Sequence, residues 1–146
     1  MNNRNRILHE CFDLAKQAKG RGDGAFGAII QDENGTTIAR AGNTTGSDGS
    51  VLYHAETNAI KKAESKKGKG KLKGCILYSS AEPCPMCASA IVWAGIDAVV
   101  YGVSIEKLRE IGIEQIDLNC FEVFRKANRK IDLQGPFLEG EGLLVF

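Results

Sequence analysis

The sequence predicts an α/β protein with three layers, in which helices cover both faces of a mixed central sheet of about five strands. Two observations predict this fold class. Helical and strand-like patterns alternate along most of the 146 residues, and a short turn joins the first two strands whereas helical segments separate the later ones. A tight turn joins antiparallel strands and a helical crossover joins parallel ones, so the sheet should contain both orientations.

The first helix and a hairpin are defined by spacing and by turn residues. Apolar side chains recur every three or four positions over residues 3–19, which is typical of an amphipathic helix, and closely spaced glycines end it. Strand-like runs follow at residues 25–31 and 36–43. The pair Asn34-Gly35 between them is typical of a tight hairpin turn.

The middle of the chain alternates helices with buried strands. A helix beginning near His54 and reaching about Lys66 precedes an apolar strand at residues 74–80. A second helix over residues 86–94 precedes another apolar strand at residues 97–103. Because each crossover contains a helix, we expect the strands that it joins to be parallel.

The last third carries shorter elements. Residues 104–111 and 119–128 are predicted to be helical, with a serine as the N-cap of the first. The apolar runs at residues 131–133 and 142–146 suit edge strands or packing against the core, and a Gly-Pro pair separates them.

Composition is that of a globular chain of ordinary domain size. Hydrophobic residues make up 43% and charged residues 25%, so we expect one domain over residues 1–146. No apolar run approaches the roughly 20 residues that cross a bilayer, and the polar N-terminus lacks the apolar core of a signal peptide. The odd number of cysteines, five, argues against a disulfide framework, and together these features predict a cytoplasmic protein.

The net charge of +1 gives the whole chain no attraction to nucleic acid, but seven lysines crowd the stretch from Lys61 to Lys73. This stretch is either a solvated helix end or a surface that contacts phosphate. We favour the solvated helix end, because no aromatic residue lies between the lysines to stack on bases.

Two short clusters carry the chemistry, His54-Ala55-Glu56 and Pro83-Cys84-Pro85-Met86-Cys87. They supply one imidazole, two thiolates and one carboxylate at the starts of two predicted helices. One histidine and two cysteines leave the fourth position of a zinc ion open, which is typical of a catalytic site, whereas a structural site needs a fourth protein ligand. The carboxylate is then placed to exchange a proton with a metal-bound water.

Two other interpretations of the cysteines are weaker. A thiol redox site would need neither His54 nor Glu56, and a zinc ribbon would need a second Cys-x-x-Cys pair. The joint pattern, His-x-Glu followed by Pro-Cys-x-x-Cys, is the signature of zinc-dependent nucleobase deaminases.

On these motifs the chain from about Gly24 to Val103 resembles the cytidine deaminase-like superfamily. The resemblance is closest to the branch of guanine deaminases, fungal-type cytosine deaminases and bacterial tRNA adenosine deaminases. It implies hydrolytic deamination by zinc-bound hydroxide, with release of ammonia. The residues that it implies are the Zn²⁺ ligands His54, Cys84 and Cys87, the catalytic proton shuttle Glu56, and the substrate contacts Phe26, Asn43 and the backbone of Ala55.

The same resemblance bears on substrate and assembly. The segment from Glu82 to Cys87 resembles the guanine and tRNA-adenosine branches, and the aromatic Phe26 favours guanine deaminase, so we favour a guanine-like purine, as free base or nucleoside. Among the acidic residues of the tail, Glu114, Asp117 and Glu122, we take Asp117 as the candidate that recognises the N–H edge of the base. Relatives also pair through the helices beside the metal, which implies a homodimer; residues 91–93 either form this interface or pack in the core.

Three alternatives remain at the level of the sequence. Cytosine deaminase and tRNA-specific adenosine deaminase are the enzymatic ones, and the near-neutral net charge makes tRNA the less favoured partner. The third is a zinc-stabilised binding module without catalysis, although such a module has no need for a carboxylate beside an open metal position.

Overall fold

The computed structural model describes residues 2–146, and its elements follow the predicted order. Within these residues no helix has the length and apolar character needed to cross a membrane. The elements are α1 (Asn3–Gly20), β1 (Gly27–Gln31), β2 (Thr37–Gly42), α2 (Ala55–Lys67), β3 (Ile76–Ala81), α3 (Pro85–Ala94), β4 (Ala98–Val103), α4 (Ile105–Glu110), α5 (Cys120–Phe124), β5 (Asp132–Gln134) and α6 (Glu139–Leu143).

Five strands form one mixed sheet in the order β2-β1-β3-β4-β5, which confirms the predicted fold class. β1 is antiparallel to both β2 and β3, and β4 is parallel to both β3 and β5. The expectation that a helical crossover joins parallel strands was right for both pairs: β3 and β4 are parallel neighbours, and β2 and β3 run in the same direction with β1 between them. All five residues of β1 are buried, so it takes an interior position, whereas β2 exposes Arg40 and forms the edge.

Alternating side chains build a hydrophobic core on each face of the sheet. Ile29 and Tyr78 pack with α1 on one face. Ile30 and Leu77 pack with α2, α3 and α5 on the other. Successive residues of a strand point to opposite faces, so each central strand contributes to both cores and the molecule has three layers.

Lysines of α2 satisfy carbonyl groups at the exposed edge of the sheet. The Nζ of Lys62 donates to the carbonyl of Arg40 at 2.8 Å, and that of Lys66 donates to the carbonyl of Ile38. An unpaired edge strand invites pairing with other chains, and lysines are a common protection against it. Two of the clustered lysines therefore contact the protein itself.

The predicted helix over residues 119–128 is wrong in length, since α5 ends at Phe124. The chain then turns so that the guanidinium of Arg129 reaches the end of α3. It donates to the carbonyls of Ile96 at 2.7 Å and Val92 at 3.0 Å. These long-range bonds, which no local pattern encodes, stabilise the turn in place of further helix.

The tail packs against the core as expected, in part as helix. β5 is the predicted edge strand, and the last apolar run begins inside α6 and contributes the buried Val145 to the core. The ring of Phe146 meets the ring of Phe26 edge to face, with centroids 5.4 Å apart. The last residue of the chain thereby supports a predicted substrate-contacting side chain.

Candidate active site

The predicted metal ligands lie at the starts of two helices. His54 is the N-cap of α2 and Cys84 the N-cap of α3, both with extended backbone, and Cys87 lies in the first turn of α3. Neither N-cap side chain caps its own helix. The imidazole and the thiol are therefore available to each other across the gap between the helices.

The three ligand atoms converge on one point. The Nδ1 of His54 lies 3.5 Å from the sulfur of Cys84 and 3.5 Å from that of Cys87. Zinc bonds of about 2.0–2.1 Å to nitrogen and about 2.3 Å to sulfur, at a tetrahedral angle, separate these atoms by about 3.5 Å. The three residues therefore fit a zinc ion. Among residues 2–146 they are the only three His, Cys, Asp or Glu side chains close enough together to hold a metal ion.

Electrostatics prepares a thiolate in this cluster. The pKa of Cys84 is lowered to about 4, chiefly by hydrogen bonds from the Cys87 thiol and then the His54 ring. Its thiolate in turn raises the pKa of His54. The pKa of Cys87 is raised, because its thiol donates to Cys84 and because it is buried. Thiolate is the form that binds a metal, so the cluster is ready for one.

Glu56 is a buried carboxyl group in the first turn of α2, only 6% exposed. Burial, followed by the nearby Cys84 thiolate, raises its pKa to about 7. A group with a pKa near the ambient pH both takes up and releases protons readily, as a proton shuttle must.

A cavity of about 180 Å³ adjoins the triad and brings most of the predicted site residues together. Ala55 lies between two of its lining residues, and as the first residue of α2 its N–H has no intrahelical acceptor. The lining residues are Phe26, Asn43, His54, Glu56, Glu82, Cys84, Glu114 and Gln115.

Asn43 is oriented by its neighbours. Its side-chain oxygen accepts the backbone N–H of Thr45 at 3.0 Å and the Thr45 hydroxyl at 2.9 Å. A backbone N–H can only donate, so the amide oxygen must be the atom that faces Thr45. The NH₂ group is left to donate toward the pocket.

The tail residue that reaches the pocket is Glu114, and Asp117 lies outside it. The Asp117 side chain is 77% exposed and forms an ion pair with Arg109 at 3.2 Å. Glu114 and Gln115, from the segment between α4 and α5, line the pocket instead. The acidic tail was visible in the sequence, but the choice among its carboxylates depends on how this irregular segment folds.

The three-layer fold with an open His-Cys-Cys site and a buried carboxylate defines a zinc-dependent enzyme. Residues 1–103 match the family model described as the cytidine and deoxycytidylate deaminase zinc-binding region. The chain belongs to this family, and it is a deaminase with its zinc triad at His54, Cys84 and Cys87. The family match and the zinc triad confirm the zinc-dependent deaminase prediction over a ribbon, a redox site or a binding module.

The names of similar proteins refer to different bases. The chain is 36% identical to a probable cytosine deaminase of Schizosaccharomyces pombe over 142 residues, 94% of this chain and 86% of the relative. It is 38% identical to the guanine deaminase of Bacillus subtilis over 113 residues, 77% of this chain and 72% of the relative. A structure from a study of tRNA:A34 deaminases superposes with a TM-score of 0.81 at 29% identity, covering 97% of this chain and 99% of that one.

Proposed function

We propose that the chain acts as one domain over residues 1–146 and hydrolyses the exocyclic amine of a free nucleobase, releasing ammonia. The observation that carries this proposal is the 180 Å³ pocket, in which Glu56, Asn43 and Glu114 surround the space beside the metal triad. A donor, an acceptor and a proton shuttle around one small cavity suit a planar ring with polar edges.

Glu56 moves the protons of this reaction. Zinc bound at the triad supplies a Lewis acid that activates water near neutral pH. The water oxygen forms a bond to the ring carbon that carries the amine, and Glu56 accepts the proton that the water loses. Glu56 gives this proton to the ring nitrogen. It then takes the remaining proton from the hydroxyl group now attached to the ring carbon and gives it to the amine. The carbon–nitrogen bond breaks, ammonia leaves, and the ring carbon keeps the oxygen as a carbonyl group.

The remaining lining residues hold the base. The NH₂ group of Asn43 donates to a ring carbonyl or unprotonated ring nitrogen, and the N–H of Ala55 supplies a second donor. Phe26 packs on the ring face, supported from behind by Phe146. Glu114 accepts a ring N–H, in the role that the sequence assigned to Asp117. A sugar on that nitrogen removes the N–H, so this carboxylate favours a free base over a nucleoside.

A guanine-like purine is the first candidate substrate. The motif from Glu82 to Cys87 resembles the guanine and tRNA-adenosine branches, Phe26 favours guanine between the two, and an acidic tail residue reaches the pocket. Cytosine is the second candidate, because the similarity to the probable cytosine deaminase spans 94% of the chain and so includes the tail. A tRNA adenosine is the third, supported by the superposition with the tRNA deaminase structure.

Ammonia release distinguishes these candidates. Zinc-loaded protein is assayed with guanine, cytosine, adenine, their nucleosides and a tRNA anticodon stem-loop. We expect the highest kcat/KM with a free base, guanine before cytosine, and much lower values with the nucleosides. Turnover of the stem-loop alone, or of none of these compounds, would refute the proposal.

We also propose a homodimer through the outer face of α3. Trp93 is 82% exposed, Met86 lies two helical turns before it on the same face, and Leu52 shares a shallow depression with Met86. This apolar face includes the predicted residues 91–93 only in part, because Ile91 is fully buried in the core. Exposed apolar faces of this kind often mark interfaces.

Sedimentation tests the dimer. The wild-type chain should sediment as a dimer at micromolar concentration, and Trp93→Ala should shift it toward monomer. The control is Leu144→Ala, since Leu144 is 80% exposed but belongs to the tail. A monomeric wild type would exclude the dimer.

We further propose a reducing, cytoplasmic location, supported by the thiols that the zinc site requires.

A further inference from the structure

We propose that Glu82 is a positioning residue that holds the tail-derived wall of the substrate pocket in place. It stands at the end of β3, directly before the Pro-Cys motif, and is only 7% exposed. Its side chain lines the pocket beside Glu114 and Gln115. This inference rests on the proposed function, because it assumes that the pocket receives the base.

Both carboxylate oxygens of Glu82 are occupied by backbone donors. Oε1 accepts the N–H of Ile105 at 3.0 Å, and Oε2 accepts the N–H of Cys120 at 2.8 Å. The Glu82 carboxylate therefore acts as a hydrogen-bond acceptor for two backbone N–H groups at once.

The two donors belong to the first residues of α4 and α5. N–H groups at a helix start have no intrahelical acceptor, so a buried one needs a partner from elsewhere in the fold. Glu82 supplies that partner for both helices at once. It therefore ties the start of α4 and the start of α5 to the end of β3, next to the metal ligand Cys84.

The segment held between these helices is residues 111–119, which carries Glu114 and Gln115 into the pocket. Most of its apolar side chains are exposed, including Ile111, Ile116 and Leu118. A segment with little buried apolar area depends on how its ends are anchored. The buried carboxylate is thus the link between the zinc motif and the wall that selects the base.

A glutamine cannot replace this carboxylate fully. Its amide has one oxygen to accept an N–H, and its NH₂ group would face the other donor. We therefore expect Glu82→Gln to release one of the two helix starts without a change in side-chain size. The zinc triad, held by α2 and α3, should keep its metal.

The experiment measures kinetics and backbone exchange on the zinc-loaded full chain. For Glu82→Gln we expect KM for the best base to rise about tenfold or more, while kcat falls by less than about threefold, from the loss of a charge-assisted bond. Amide exchange should accelerate at Ile105 or Cys120 and through residues 111–119, but not in α2 or α3. Zinc content should stay at the wild-type level.

The matched control is Glu139→Gln. Glu139 accepts the N–H of Ser104 at 2.8 Å, one residue before Ile105, but does not line the pocket. It should leave KM and the exchange of residues 111–119 unchanged. A second variant, Cys120→Pro, removes the N–H group that Glu82 accepts at the start of α5. Cys120 is the first residue of that helix, a position that proline tolerates. If Glu82→Gln fails to fold, Cys120→Pro takes its place in the experiment.

The outcomes separate the two proposals. If Glu82→Gln leaves both KM and the exchange of residues 111–119 unchanged, or moves them no more than Glu139→Gln does, the positioning role is wrong. If the wild type turns over no amino-base, the proposed function fails. In that case exchange of residues 111–119, with zinc retained, still decides whether Glu82 holds the segment.

Discussion

The side-chain oxygen of Asn43 accepts two hydrogen bonds from Thr45, one from the backbone N–H at 3.0 Å and one from the hydroxyl at 2.9 Å. This pair leaves the NH₂ group as the part of Asn43 that can donate, and Asn43 lines the cavity beside the metal triad. The pocket therefore offers a hydrogen-bond donor on the side of Asn43 and a carboxylate acceptor on the side of Glu114.

Asn43→Asp should replace the hydrogen-bond donor of Asn43 with an acceptor and leave zinc bound. A carboxylate oxygen would face the acceptor of the base, so we expect kcat/KM to fall about 100-fold, as for a buried polar group left unpaired. Thr45→Val keeps the backbone N–H and removes only the hydroxyl, so its loss should be smaller, about tenfold or less. Steady-state kinetics with the best base measure both. Equal losses in the two variants would contradict the donor role.

Cys84→Ala should lose the metal because it removes one of three ligands. We expect zinc content near one per chain in the wild type and near zero in the variant after dialysis, measured by atomic emission. Because metal binding adds to the stability of the fold, the Tm should fall as well. Cys75→Ala, which removes a buried thiol outside the cluster, should keep its zinc. Retained zinc in Cys84→Ala would count against the assigned triad.

Glu56→Gln should separate metal binding from catalysis. The amide keeps the size of the side chain but cannot carry a proton, so kcat should fall by about 10²- to 10⁴-fold with zinc retained. Glu56→Ala should abolish turnover and also keep zinc. The exposed Glu106→Gln, on α4, should behave as wild type. If either Glu56 variant released ammonia at the wild-type rate, Glu56 could not be the proton shuttle.

Asp23→Asn should destabilise the protein in a pH-dependent way. The Asp23 carboxylate accepts the hydroxyl of Ser47 at 2.6 Å and its N–H at 2.8 Å, which anchors the loop between Asn43 and His54. These bonds, the hydroxyl first, lower the pKa of Asp23. The stabilisation is therefore full above the unfolded pKa, about 3.9, and is lost as pH falls through the lower folded pKa.

Thermal unfolding across pH checks this linkage. The Tm of Asp23→Asn should lie below that of the wild type at pH 7, and the gap should narrow at the acid end of the range. Asp13→Asn, on the exposed side of α1, should change the Tm little at pH 7. If the Tm difference between the wild type and Asp23→Asn widened as pH fell, the proposed role of the Asp23 carboxylate would be contradicted.

Gly27→Ala should be strongly destabilising because α1 lies directly against β1. A Cβ at Gly27 would meet the carbonyl oxygen of Cys11 and would lie 2.6 Å from the Cβ of Leu14. Overpacking of this kind costs about 1–3 kcal/mol in the free energy of unfolding. Gly20→Ala, with open space around it, should be neutral or stabilising by up to about 1 kcal/mol. Denaturant unfolding of both variants gives the comparison.

Much of the fold could be predicted because local patterns carry it. The hairpin turn is an example, since Asp32 accepts the N–H groups of Asn34 and Thr36 and Gly35 takes a positive φ, all within five residues. The order of strands was harder, because the position of β1 between β2 and β3 depends on which strand is buried on both faces. The length of α5 was wrong for a similar reason, since Arg129 finds its acceptors more than 30 residues away.

The sequence by itself determined the chemistry: His54, Glu56, Cys84 and Cys87 lie in two short motifs whose residue types and spacing suffice for a zinc-dependent deaminase. Only the tertiary structure decided which tail residues face the base, because Glu114 is brought to the pocket by an irregular segment with no periodic pattern. It also showed that both oxygens of Glu82 hold backbone N–H groups. Ligand identity is local in the chain, whereas the walls of the pocket are formed by contacts between segments far apart in it.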